Sequence, residues 1–196
     1  MHTKDLIGRC IQDIHQHVCT RTDGLDEASL HLTLDGGKII HFPWGPESLV
    51  HEEKPPQDAK SLFSDLSDIP VWHVNPQQKT VEEVSEAYKK RTSSFWGQLK
   101  SMVGLGEKMP REYLPFRVEY EENRCQYLQE QEIKDYLYFE DDFFEGYLEL
   151  ENGYIITFVI MAPHGTGHAG LRFYESLEIF EACCGREYRR LSETAP

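Results

Sequence analysis

Along residues 4–19, KDLIGRCIQDIHQHVC, the apolar positions Leu6, Ile7, Cys10, Ile11, Ile14 and Val18 recur every three or four residues. That spacing predicts an amphipathic N-terminal helix, stopped by the TDGLDE turn. SLHLTLDGGKIIHFPW then changes period: Leu30, Leu32 and Leu34 alternate, Asp35-Gly36-Gly37 supplies a tight turn, and Ile39-Ile40-His41-Phe42 returns as a second strand. EEKPPQDAK at 52–60 reads as loop, and PVWHV at 70–74 as a short strand. Thr80-Val81-Glu82-Glu83 has the form of a capping box, in which side chains satisfy the unpaired amides of a first helical turn. Val81, Val84, Tyr88, Phe95, Leu99 and Met102 continue as an apolar stripe, predicting a long helix over much of 80–103 that ends at Gly104-Leu105-Gly106. FRVEYEE at 116–122 reads as a strand, and LQEQEIKDYLYF fits helix or strand. GYLELENGYIITFVIMA is a hairpin turning at Asn152-Gly153, and SLEIFEACCG is a short helix stopped by Gly185.

The two hairpins align. Leu32, Leu34, Gly37, Ile39, Ile40 and Phe42 fall on Leu148, Leu150, Gly153, Ile155, Ile156 and Phe158 at a constant offset, and Glu47-Ser48-Leu49 recurs as Glu175-Ser176-Leu177. Alternation and a glycine turn are common to most hairpins, so chance similarity and true duplication both stand at this point. The expected fold class is α+β: antiparallel β-hairpins in two duplicated halves, with a long central helix and an N-terminal helix. Residues 1–196 form one compact domain on this reading, with halves 1–51 and 116–190 joined by a helical segment at 76–106. The second half carries extra residues between its hairpin and Glu-Ser-Leu, mostly the loop PHGTGHAGLRF. Inserted loops often carry function.

Composition narrows the classes. With 39% hydrophobic and 12% aromatic residues the chain is that of a globular protein. The first residues, MHTKDLIGRC, lack the apolar stretch of a secretory signal. The longest apolar run is about half a membrane span, so neither export nor membrane insertion is expected. Five cysteines without paired spacing suit reduced thiols in the cytoplasm. The formal charge of −14 argues against nucleic-acid or anionic-membrane binding. The charge is concentrated: Glu119 to Glu151 contains twelve acids and only Arg124 and Lys134, with eight aromatics threaded through. Tyr138, Glu140, Asp141, Asp142, Phe143, Phe144 and Glu145 form its densest part. Carboxylates that speed encounter and aromatics that anchor suit a surface for a basic partner, although a solvated sheet face produces the same pattern.

Catalytic and metal chemistry find little purchase. His164 and His168 in APHGTGHAGLRF have a four-residue spacing that shares a face only on a helix, which glycines 165, 167 and 170 oppose. No third ligand stands at a fixed spacing, so no zinc, and no cofactor, is expected there. The same glycines do not open a phosphate-binding helix. Glu140-Asp141-Asp142 lacks a calcium-loop pattern. Cys183-Cys184 has no positioned histidine, and no G-x-S-x-G elbow is present. His164 and His168 remain candidate partner contacts.

A small acidic α+β chain with hairpins LTLDGGKIIHFPW and LELENGYIITFVIMAPHGTG and no catalytic set resembles the immunity proteins encoded beside antibacterial toxins, including the partners of type VI secretion effectors. The resemblance is one of general character, and no family residue transfers position by position. It implies a cytoplasmic inhibitor that binds a cognate toxin, with the acidic window implying a basic, nuclease-like partner. Competing readings are a small cytosolic hydrolase using His164 and His168 with a distant acid, and an adaptor or chaperone using the same acidic face.

Overall fold

The computed structural model describes residues 1–65, 67–74, 116–161 and 169–194. The helix expected over 80–103, the linking segment 76–106 and the His164 and His168 loop therefore lie outside the described residues or largely so. The N-terminal helix is overturned. Only Thr3–Leu6 turns, as a short 3-10 segment, and Ile11–Thr20 is a strand, β1. The reason is a bulge. Ile11 pairs with Leu34 and Asp13 with Thr33, so β1 spends one extra residue between them, and Ile11 and Ile14 both turn inward, each fully buried. An inward pair three residues apart imitates helical periodicity. The Asp13 carboxylate accepts from the Ile14 amide at 2.7 Å and from the Ser61 hydroxyl at 2.7 Å, fixing the irregularity.

Two sheets carry the fold. In the first, β2 (Asp26–Leu34) lies between β1 and β3 (Lys38–His41), and β1 also pairs with β4 (Lys60–Ser61), giving the order β3-β2-β1-β4. The second contains β7 (Ile133–Phe139), β8 (Asp142–Leu150), β9 (Ile155–Val159), β10 (Gly170–Tyr174) and β11 (Arg189–Arg190), in the order β10-β9-β8-β7-β11. All of these pairings are antiparallel. Helix α1, Leu177–Cys184, is capped by the Ser176 side chain and closed by Gly185 in the left-handed region. The α+β expectation is thereby corrected to a mainly antiparallel β architecture, with α1 the only α-helix among the described residues. The chain divides into two compact units, Met1–Val71 with Tyr120–Pro196, and Trp72–Glu119. The chain passes into and out of the latter along β5 (Ile69–Val74) and β6 (Phe116–Glu121), which pair as a two-stranded sheet.

The sheets of the first unit follow one plan. Strands β3, β2, β1 and β4 occupy the places of β9, β8, β7 and β11, and β10 is an addition built from the inserted loop. The correspondence extends to detail. Ile133 pairs with Leu150 and Asp135 with Glu149 across the same kind of bulge, and Asp135 accepts from the Tyr136 amide and the Ser192 hydroxyl as Asp13 does from Ile14 and Ser61. Thr3–Leu6 has its counterpart in the 3-10 segment Cys125–Leu128. The two starts are stitched together reciprocally. The Gly8 amide donates to the Ile133 carbonyl (2.8 Å) and the Glu130 amide to Ile11 (2.7 Å). The Ile133 amide donates to Arg9 (2.9 Å) and the Ile11 amide to Gln131 (3.0 Å). Cys10 and Glu132 bridge at the centre. Exchanging the halves exchanges these bonds, the signature of an approximate twofold axis.

One core lies between the sheets. Leu30, Leu32, Leu34 and Ile40 meet Leu148, Leu150, Ile156 and Phe173 there. The halves differ where volumes are traded. Ile14 with Leu30 in the first half becomes Tyr136 with Gly146 in the second. A β-carbon at Gly146 would overlap the Tyr136 ring and hydroxyl, so the glycine makes room for the larger side chain. Gly146→Ala is expected to lose roughly 1–3 kcal/mol by overpacking. Gly146→Leu with Tyr136→Ile, which copies the first half, should recover most of the loss. Urea unfolding checks both, and a double variant no better than Gly146→Leu alone would sink the volume argument.

Candidate functional site

The acidic window is less exposed in charge than its composition implies. The C-terminal segment Arg186–Arg190 folds back across it. The Arg186 guanidinium sits 3.6 Å above the Phe139 ring and reaches Asp142 at 3.3 Å, Glu145 at 2.6 Å and Asp141 at 3.5 Å. Arg189 pairs with Glu140 at 3.0 Å. Arg190 lies against Glu149 and, at 3.6 Å, Asp135, both nearly fully buried, and Lys134 meets Glu149 at 2.9 Å. A sequence window counts only its own cations, so these three arginines escape it. Phe143 and Phe144 belong to the backbone of β8, and their side chains lie outside the described set. His164 and His168 are outside it as well.

Tyr138 and Glu140, at the end of β7, stand on the rim of an open cleft of about 1070 Å³. Tyr138 is half-buried and stacks on Tyr136, with ring centres 6.5 Å apart. The segment Gly45–Ser48 forms part of its wall, and His2, Lys4, Phe139, Leu191 and Thr194 complete the lining. That wall is pinned to the N-terminus: the buried Thr3 hydroxyl donates to the Gly45 carbonyl at 2.6 Å, and the Thr3 amide donates to Ser48 at 3.2 Å. A smaller cavity of about 300 Å³ occupies the corresponding place in the first half. There Gln16, His17 and Val18 stand where Tyr138, Phe139 and Glu140 do, and Leu62 and Asp65 where Leu191 and Thr194 do. The Asn123 amide, bonded to the Leu62 and Asp65 carbonyls at 2.5 Å each, braces that smaller one.

The outer face of the first sheet holds the second notable feature. His15 pairs with His31, and His31 with His41, so three imidazoles run in a row across β1, β2 and β3. In the second half the same row is Leu137, Tyr147 and Thr157. Leu137 and Tyr147 there form an apolar layer with Phe139, Ile155 and Tyr174, sealed by Phe180 of α1, whose ring lies 4.8 Å from Tyr147. Histidines have replaced that layer in the first half. His31 is 2% exposed, and neither of its ring nitrogens has a hydrogen-bond partner among the described residues. His15 Nδ1, Ser29 Oγ and Thr33 Oγ1, on the same face, are also buried and unpaired. His31 meets His41 edge-on at 5.2 Å. His41 donates from Nδ1 to the Phe42 carbonyl at 3.1 Å and stacks flat on Trp44 at 5.6 Å. Reading β1 as a helix concealed the row. The alignment of the two hairpins already sets His31 on Tyr147 and His41 on Thr157; what the helix reading hid was His15 beside His31, in the place of Leu137.

Among the described residues no group of three or more His, Cys, Asp and Glu side chains is arranged to hold a metal ion. Burial pushes the thiol of Cys184 up to about 12, so at neutral pH it is protonated and a weak nucleophile. No helix among the described residues is long and apolar enough to cross a membrane. No known protein family, characterised protein or solved structure matches the chain.

Burial is the main influence that holds His31 below the ordinary histidine range; His41 and His15 add to it, and Glu53 opposes it. The unfolded chain therefore takes up this proton more readily than the folded one. Stability is unaffected well above the unfolded value of about 6.5 and falls as the pH drops below it. His31→Tyr, which installs the residue of the second half, should remove that part of the slope. Urea midpoints measured across the acid range check it, and equal slopes in both proteins would refute the assignment to His31.

Proposed function

We propose that the chain is an internally duplicated binding module that acts in the cytoplasm as a stoichiometric inhibitor of a basic protein, in the manner of an immunity protein against a toxin. The single observation that carries the reading is the position of the cleft. Its rim joins an aromatic, Tyr138, to the carboxylates Glu47 and Glu140, beside the ridge of Asp141, Asp142 and Glu145. Aromatic anchors at the centre and carboxylates at the edge give desolvated contact and electrostatic steering together. The formal charge of −14 supports a cationic partner. Arg186 and Arg189 sharpen the picture: they are held by carboxylates that a partner's own lysines and arginines would compete for.

A partner captured from the host and purified provides the test. Glu47→Lys with Glu140→Lys should mainly slow association at low salt, with the difference shrinking as salt rises, because exposed charges are screened within roughly 10 Å at 0.1 M. Tyr138→Ala should mainly speed dissociation. Thermal melting first identifies any variant that weakens the fold. Unchanged kinetics in folded variants at all three positions would remove the cleft from the interface.

A further inference from the structure

We propose that the His15–His31–His41 row, on the outer face of the first sheet, is a proton-responsive latch that acts through Trp44 on the Gly45–Ser48 wall of the cleft. A charge on His31 breaks the His41 stack that holds Trp44 and releases the adjoining Gly45–Ser48 segment. The inference rests on the cleft being the binding surface, and it adds a form of regulation to it.

The argument begins with what a protonated His31 requires. Both ring nitrogens become donors, and each needs an acceptor or water. In the neutral protein neither nitrogen has a partner, and the ring is enclosed. The groups facing it offer little relief. From β1 comes His15, whose Nε2 already lies 3.6 Å from Asp13. From β3 comes His41, edge-on at 5.2 Å. The chain after β3 contributes Glu53, the acid among the described residues with an electrostatic influence on His31, its amide bonded to the Ile39 carbonyl at 3.2 Å. His17, the next histidine on that face of β1, is engaged by Asp58 at 3.1 Å. A charge on His31 must therefore be hydrated or met by Glu53, and neighbouring rings occupy the space.

The ring that must give way is tied to the cleft. His41 stacks on Trp44, and Phe158 meets both edge-on at 6.0 and 5.9 Å. Trp44 immediately precedes Gly45, whose carbonyl accepts the Thr3 hydroxyl at the cleft wall. A turn of His41 away from a charged His31 loosens Trp44, and the next four residues are the wall itself. In the second half the equivalent layer contains no titratable imidazole and is closed by α1. The device thus belongs to the first half alone. Burial holds His31 below the ordinary histidine range, so the latch operates below about pH 6.5.

The test reads the free chain first. With 5-fluorotryptophan incorporated, and the Trp44 resonance assigned by its loss in Trp44→Phe, the Trp44 signal is followed by fluorine NMR from about pH 8 to pH 5. The expected result is a shift with a midpoint below about 6.5 that follows the His31 ring resonance and is absent from His31→Tyr. His31→Gln, neutral and closer in size, serves if the tyrosine variant does not fold. A Trp44 signal that stays constant while His31 titrates overturns the latch, as does a shift of the same size in the His31 variants. Dissociation of the captured partner is then compared at neutral and acidic pH. Faster release at acidic pH in the native chain and not in the His31 variant supports the coupling. Binding that is independent of pH while Trp44 shifts overturns the coupling and leaves the proposed inhibitor role intact. A chain that binds no partner but shows the Trp44 transition removes the inhibitor role and the latch on it, while a local His31–Trp44 response remains.

Discussion

The four reciprocal backbone hydrogen bonds between Gly8–Ile11 and Glu130–Ile133 are the constraint on which the rest depends. They join the starts of β1 and β7 back to back, so each sheet begins where the other does and their inner faces meet. The geometry demands left-handed backbone just before each strand. Gly8 supplies it at φ 84°, and Glu130 supplies it at φ 59°, where a side chain costs roughly 1–2 kcal/mol. That a glutamate accepts this conformation reflects how strongly the surrounding bonds determine it. Immediately beyond the seam come the bulges at Asp13 and Asp135, which set every later residue of β1 and β7 facing in or out.

Once inward and outward positions are set, the outer layers are free to diverge, because the shared core does not involve them. The second half spent that freedom on an aromatic layer closed by α1. The first placed histidines there and left buried polar atoms without partners. Such atoms cost stability wherever they occur. Five of them lie on one face of one sheet, opposite a corresponding layer where leucine and tyrosine pack well. A fold that has a stable apolar solution for this layer, and does not use it twice, carries a local destabilisation of the kind that accompanies function.

Much of this was legible in the residues and some was not, for identifiable reasons. Both hairpins and α1 follow from local signals: alternation, glycine turns, a serine cap and a closing glycine. The repeated plan was visible in the matched hairpin positions, yet the match stopped short of β1. Its bulge shifts the inward set by one, and Ile11 and Ile14 then satisfy a helical template. Periodicity analysis assumes an unbroken register. A bulge violates that assumption without leaving any mark in composition. The α+β expectation failed at that point. The cations that pair with the acidic window were hidden for a different reason. Arg186, Arg189 and Arg190 are more than thirty residues beyond it in sequence, and pairing across that distance depends on β11 lying beside β7.

The same comparison explains why the cleft, and not the ridge, is the better candidate surface. A carboxylate already held by an arginine has part of its field cancelled, and a partner must displace or share that arginine to gain the contact. On the ridge, Asp141, Asp142 and Glu145 all share Arg186. At the cleft, no cation among the described residues pairs with Glu47, Glu140 meets Arg189, and Tyr138 offers apolar area beside them. A partner bound there, as proposed, would let the aromatic exclude water around the charges and so strengthen each remaining electrostatic contact. On the proposed reading, the ridge would act at longer range, steering a cationic partner toward the cleft.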